Sequence, residues 1–157
     1  MLDFRRAIPL ASPHGFFKIG VLGETPLFDI ELNDARQVVL IRFRGELSER
    51  DFAGLDAIGG TMKAGDRFDC IFDLSQVEKV ELAAEFISKR GELPQVFTDR
   101  HRIYVVPQED IKLLVRLYAA YQSAKGWRPP VVVGKLEQAF EMLGVVSSDF
   151  HAVPPLR

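Results

Sequence analysis

The sequence contains very little cysteine and no strong excess of charge of either sign. Cys70 is the one cysteine in 157 residues, which excludes an internal disulfide and a cysteine-rich zinc site. The net charge is −2 with acidic and basic residues interspersed, whereas a nucleic-acid-binding protein usually presents a strongly basic face. We therefore expect no nucleic-acid partner. Because Cys70 lies in an apolar segment, we expect it to be a small core residue.

Long apolar runs are also missing. The longest ones, such as residues 38–41, are far shorter than the roughly 20 residues needed to span a bilayer. Arg5 and Arg6 precede a stretch that Pro9 and Pro13 interrupt, so this stretch is too short and too broken to be the apolar part of a secretion signal. The sequence predicts no insertion into a membrane, and a cytoplasmic location is the expectation.

Catalytic and metal-binding motifs are absent as well. The sequence has no glycine-rich nucleotide loop, no nucleophile elbow and no zinc-protease motif. The three histidines, His14, His101 and His151, stand far apart. No spacing therefore predicts a catalytic residue, a metal ligand or a cofactor site, and we expect a binding protein and not an enzyme.

The composition that remains is that of one folded domain. Hydrophobic residues make up 47% and charged residues 27%, which is typical of a globular chain able to bury a core. Prolines and glycines divide residues 1–26, which we expect to form an N-terminal arm with a candidate edge strand at residues 15–22. Residues 27–146 are patterned regularly and are expected to form the domain, followed by a C-terminal tail at residues 147–157.

Strand and helix signals alternate within the predicted domain. Alternating apolar residues at 28–32 and 38–44, around a turn at Asn33 and Asp34, predict a β-hairpin. Ser48 followed by Asp51 is a helix-capping signal. Further strands are predicted at residues 68–74, 103–106 and 131–133, and further helices at residues 81–90, 110–125 and 136–143. This order predicts an α/β fold with a mixed, mostly parallel sheet of four or five strands and about four helices.

The segment after the predicted strand at residues 68–74 resembles a known family. Residues 73–84 read D-L-S-Q-V-E-K-V-E-L-A-A, which is similar to the D-L-S-G-V-x-x-I-D-S-S-G pattern of the anti-sigma-factor antagonist, or STAS, family. The order of elements over about residues 27–145 also resembles this fold, in particular its bacterial SpoIIAA-like branch. The resemblance implies a STAS/SpoIIAA-like domain and a protein-interaction switch, which family members control by phosphorylating the first serine of D-S-S-G.

The sequence departs from the family at this serine. Carried across without gaps, the acidic residue of the pattern is Glu81, the phosphoacceptor is Leu82, and the next two positions are Ala83 and Ala84. Leucine has no hydroxyl group, so the resemblance implies a module that phosphorylation does not switch at this position. Ser75 corresponds to the structural serine of D-L-S.

The predicted binding surface is the loop after the strand at residues 68–74 together with the start of the following helix. Its candidate residues are Asp73, Ser75, Glu78, Lys79, Glu81 and Leu82. Open α/β sheets place ligands at the carboxyl ends of their strands, although for Asp73 and Ser75 we favour a role in stabilising the loop. We expect an unknown protein partner here. The alternative is a small apolar or lipid-like ligand, because the SpoIIAA-like branch resembles lipid-carrier folds.

The predicted helix at residues 110–125 carries two apolar stripes. The first consists of Ile111, Leu114, Val115 and Tyr118, and the second of Leu113, Leu117, Ala120, Tyr121 and Ala124. One stripe can cover the sheet, so the other has to meet a neighbouring helix, the N-terminal arm or a second subunit. Burial within the monomer and a homodimer through Leu113, Leu117 and Tyr121 are equally expected.

Overall fold

The computed structural model describes residues 28–59, 67–93 and 100–153. In these stretches the elements are β1 (Phe28–Asn33), β2 (Val38–Ser48), α1 (Glu49–Gly59), β3 (Asp69–Glu81), α2 (Ala84–Gly91), β4 (Arg102–Val105), α3 (Glu109–Ala124), β5 (Val131–Val133), α4 (Leu136–Leu143), a 3₁₀ helix (Ser147–Asp149) and β6 (His151–Ala152). The predicted arm at residues 1–26, with its candidate edge strand, lies outside the described residues.

The strands of the described residues form one mixed sheet in the order β5-β4-β3-β2-β1-β6. Strands β2 to β5 are parallel to one another, and β1 is antiparallel to both β2 and β6. The predicted α/β class, the initial hairpin and the central position of the strand after Phe68 are confirmed. The sheet has one strand more than the four or five expected, because His151 and Ala152, in the predicted tail, pair with Leu32 and Glu31.

The sheet separates two apolar cores. Val39, Ile41 and Phe43 of β2 share one face, as predicted, and belong to the core that also contains Ile111 and Val115 of α3. The opposite face carries the second core, whose buried members include Leu40, Ile71, Ile103 and Ala139 of α4. Since both faces of β3 are covered, the continuous apolar run of its first half follows from its central position.

Cys70 is partly buried and packs against the first core, as its apolar surroundings predicted. Burial raises the pKa of its thiol to about 12. The thiol therefore stays protonated at neutral pH and is a poor nucleophile.

The start of α1 follows the predicted capping pattern. The backbone N–H of Ser48 donates to Oδ2 of Asp51 at 2.8 Å, and the Ser48 hydroxyl lies 3.5 Å from the same oxygen. Asp51 is only 3% exposed. Burial raises the pKa of its carboxyl group, and the hydrogen bonds from Ser48 offset this only in part.

The raised pKa of Asp51 predicts how a substitution depends on pH. A carboxyl group with a higher pKa in the folded chain stabilises the fold below its ordinary pKa of 3.8, and this contribution is lost as pH rises through the folded-state pKa. We expect Asp51→Asn, which keeps an acceptor for Ser48, to be at least as stable as wild type at neutral pH, with the difference disappearing below about pH 4. Asp51→Ala loses the acceptor and should cost about 1 kcal/mol. Urea unfolding at both pH values measures these differences, and an Asn variant less stable than the Ala variant would contradict this prediction.

Candidate functional site

The predicted binding loop is mostly strand. β3 has 13 residues whereas β4 has four, and β4 pairs with β3 only from Cys70 to Asp73. Beyond Asp73, β3 continues beside β2 until Glu81 pairs with Ser48. The predicted loop from Ser75 and helix start at Glu81 are therefore wrong as secondary structure. α2 begins at Ala84, and Leu82 lies in the short connection before it.

The extra length of β3 has a packing reason. Leu47 of β2 and Val77 of β3 are both buried in the first core, so continued pairing keeps burying apolar surface. Two register shifts in the β2–β3 pairing insert extra β3 residues and break the strict alternation of faces. Gly45 lies at the second shift with a φ of 70°, a conformation that glycine adopts without strain.

Of the first two candidate residues, Asp73 is buried and Ser75 is exposed. Asp73 is 4% exposed and its Oδ1 accepts a hydrogen bond from the backbone N–H of Ser75 at 3.0 Å. Its other oxygen lies 3.8 Å from the guanidinium of Arg42, which also pairs with Glu31 at 2.6 Å. These contacts hold the backbone of β3 itself, where the sequence had predicted a loop that Asp73 and Ser75 stabilise.

The remaining candidate residues divide into a charged group and one apolar residue. Glu78, Lys79 and Glu81 are exposed, and Nζ of Lys79 lies 2.5 Å from Oε1 of Glu81. This hydrogen bond and the charge of Glu81 raise the pKa of Lys79, which keeps it positively charged. Leu82 is partly buried and turns toward the interior, where it lines a pocket.

Gln108 completes this end of the sheet and was missed by the sequence analysis. No described strand pairs with the β4 side of β3 beyond Asp73. The Gln108 side-chain amide donates there to the carbonyl oxygens of Leu74 at 2.9 Å and Val77 at 2.8 Å, and it lies 3.4 Å from that of Ser75. Gln108 thus binds backbone carbonyl oxygens of β3 that would otherwise be free to pair with another strand. Its sequence position gives no signal, because the carbonyls it binds lie more than thirty residues away.

An apolar pocket lies beside this end of the sheet, between the sheet and helices α2 and α3. Three pairs of residues from different elements line it: Leu74 and Tyr104 from the sheet, Leu82 and Phe86 from the start of α2 and the connection before it, and Leu114 and Tyr118 from α3. The cavity volume is about 60 Å³, within an open space of about 520 Å³ that includes the mouth. An engineered cavity of about 150 Å³ holds benzene, so the closed part of this pocket accommodates a small apolar group and not a whole lipid.

Helix α2 packs closely on α3 beyond the pocket. A Cβ atom at Gly91 would lie 2.5 Å from Cβ of Tyr121, so α2 can approach α3 this closely only with glycine there. Gln122 of α3 is fully buried, and its amide donates to the carbonyl of Leu93 at 3.1 Å and to that of Gly91 at 2.5 Å. These contacts fix the distance between the two helices that bound the pocket.

Polar groups border the pocket on one side. The Arg90 guanidinium lies 4.6 Å from the ring centroid of Phe52 and donates to both carboxylate oxygens of Asp56, at 3.0 and 2.7 Å. The hydroxyl of Tyr118 accepts a hydrogen bond from Arg102 at 2.9 Å. Burial raises the pKa of Tyr104, so its hydroxyl stays neutral at all physiological pH values.

The dimer residues predicted on α3 fall in two environments. Ile111 and Val115 of the first stripe are buried against the sheet. In the second stripe, Tyr121 packs against Gly91 of α2, which corresponds to the neighbouring-helix alternative. Leu113 and Leu117 are 64% and 37% exposed, so the rest of the second stripe forms an apolar surface row.

Among residues 28–59, 67–93 and 100–153, no three His, Cys, Asp or Glu side chains come close enough to hold a metal ion. No helix in these stretches is both long and apolar enough to cross a bilayer.

Comparison with solved structures gives a match that bears on the fold. No protein-family model and no curated protein matches the sequence. The crystal structure of an uncharacterized DUF3478-family protein from Shewanella loihica PV-4, which has a SpoIIAA-like fold, matches with a TM-score of 0.50. The match covers 74% of this chain and 91% of that protein at 15% sequence identity, which is evidence for the fold alone. The resemblance predicted from residues 73–84 and from the element order is confirmed at this level: the chain has a SpoIIAA-like fold.

Proposed function

We propose that this chain is a non-enzymatic, cytoplasmic protein-interaction module. Its docking surface, which we define as Glu78, Lys79, Glu81 and Leu82, lies at the end of β3 and in the connection to α2. The observation that carries the proposal is the position of Leu82 in the wall of an apolar pocket. Where the family pattern has a phosphorylated serine, this chain offers an apolar contact.

The arrangement of the docking surface fits an interface centred on an apolar anchor. Exposed charges at Glu78, Lys79 and Glu81 precede Leu82, as a polar rim surrounds the desolvated centre of many protein interfaces. A cavity of about 60 Å³ matches the end of one inserted apolar side chain. The unknown partner is therefore expected to place such a side chain against Leu82, without control by phosphorylation there.

A second candidate function is binding of a small apolar or lipid-like ligand. The observation that favours it is the same pocket, whose walls are almost entirely apolar. Native mass spectrometry of the purified protein separates the candidates. A co-purified small molecule would favour ligand binding over protein interaction.

Substitution of Leu82 tests the docking surface. We expect Leu82→Asp to reduce partner retention at least about tenfold, because a carboxylate in an apolar contact is left without a partner. The measurement is quantitative mass spectrometry of proteins retained from lysate by immobilised wild type, Leu82→Asp and Val146→Asp. Val146→Asp controls for the added surface charge, since Val146 is a 56% exposed apolar residue at another place on the surface. Equal retention by all three proteins, with unchanged circular dichroism, would remove the docking surface from the account.

We also propose that the exposed part of the second stripe forms a homodimer contact. In an antiparallel isologous contact between two α3 helices, Leu113 of one subunit meets Leu117 of the other. Sedimentation velocity at micromolar concentration should show a dimer that Leu117→Glu converts to a monomer without unfolding. An Arg116→Glu variant, which changes an exposed charge next to the stripe, serves as the control. A monomeric wild type would rule out the dimer. The N-terminal arm would then remain as the alternative that covers Leu113 and Leu117.

A further inference from the structure

Among the described residues that line the apolar pocket, Arg90 is the one that carries a charge. Its guanidinium lies against Phe52, another pocket residue. Its two Nη nitrogens donate hydrogen bonds to the carboxylate of Asp56. Asp56 does not line the pocket. The cation therefore sits at the boundary between an apolar space and a carboxylate on the outer surface.

The two partners of this ion pair differ in exposure. The Arg90 side chain is 22% exposed, whereas that of Asp56 is 61% exposed. Asp56 can turn to water at little cost, because most of its side chain is already hydrated. The guanidinium of Arg90, by contrast, is mostly shielded from water and therefore needs a hydrogen-bond acceptor. A second carboxylate that approaches from the pocket can take the place of Asp56.

Arg102, which donates to the pocket residue Tyr118, is not available in the same way. It donates to the Tyr118 hydroxyl at 2.9 Å, to Oε1 of Gln122 at 3.1 Å and to the carbonyl of Arg128 at 2.7 Å. Two of these acceptors belong to partly or fully buried side chains of α3. The charge that a pocket ligand meets is therefore that of Arg90.

We propose that the pocket binds an apolar group that carries a carboxylate, with the carboxylate on Arg90 in place of Asp56. The paired N–H donors of Arg90 match the two oxygens of a carboxylate, and the neighbouring walls accept the apolar part. A small organic acid and the carboxyl-terminal apolar residue of a partner share this chemistry. The proposal rests on the proposed function only in using the same pocket.

The test compares a carboxylate with a neutral ligand of equal chain length. Hexanoate and hexan-1-ol are titrated into wild type, Arg90→Met and Asp56→Asn, and dissociation constants are taken from ¹H–¹⁵N NMR shifts. We expect wild type to prefer hexanoate. Arg90→Met should weaken hexanoate binding about tenfold and leave hexanol binding unchanged, because it removes only the charged donor that the carboxylate binds. Asp56→Asn should strengthen hexanoate binding, because it removes the competing carboxylate.

The opposite signs of the two variants distinguish a ligand site from a structural clip between α1 and α2. A clip predicts that both variants loosen the same contact and shift both ligands in the same direction, which would overturn the proposal. Equal binding of hexanoate and hexanol by wild type, or binding of neither, would also overturn it. The docking surface is tested separately, by the effect of Leu82→Asp on partner retention. Failure of the carboxylate proposal therefore does not decide whether the docking surface is correct.

A peptide pair identifies the source of the carboxylate. A peptide ending in leucine is compared with the same peptide carrying a carboxyl-terminal amide. Tighter binding of the free acid, lost in Arg90→Met, supports a partner's carboxyl terminus. Binding of hexanoate with no binding of either peptide supports a small acid.

Discussion

The parallel pairing of β2 with β3 beyond the end of β4 determines where the rest of the site lies. It carries β3 to Glu81 and delays the start of α2 to Ala84. Leu82 is thereby placed in the turn toward the apolar core, and the free side of β3 is left for Gln108 to cover. If β3 ended together with β4, neither this placement of Leu82 nor the contact of Gln108 with Val77 would form.

An apolar pocket lies at the same end of the molecule as the docking surface. The pocket, the leucine at the family phosphoacceptor position and the cation of Arg90 lie together, which is why we assign the proposed binding to this end of the molecule.

The sequence predicted the elements whose patterns are long and regular. The hairpin at Phe28 and Val38, the apolar first half of β3 and the amphipathic α3 were all found where their periodicity indicated. The second half of β3 was read as loop because Ser75 and Lys79 are polar and the register shifts hide the alternation. β6, with only two residues, is too short to produce any pattern.

Of the proposed site, the sequence pointed only to residues that a family pattern marked. Leu82 was identifiable, since it replaces a serine of that pattern. Arg90 and Gln108 were not, because their roles depend on contacts with Asp56 and Leu74, each 34 residues away in the sequence. Such roles follow from the placement of α2 and α3 over the sheet, and local residue preferences carry no information about them.

Photochemical cross-linking at position 82 tests the central claim most directly. The protein is prepared with benzoylphenylalanine in place of Leu82 or, as a control, in place of Val131, a 37% exposed apolar residue of the edge strand β5. Both proteins are irradiated in lysate, and the adducts are identified by mass. The account predicts discrete adducts from position 82 and none of these from position 131. The same adducts from both positions, or none from position 82, would contradict it.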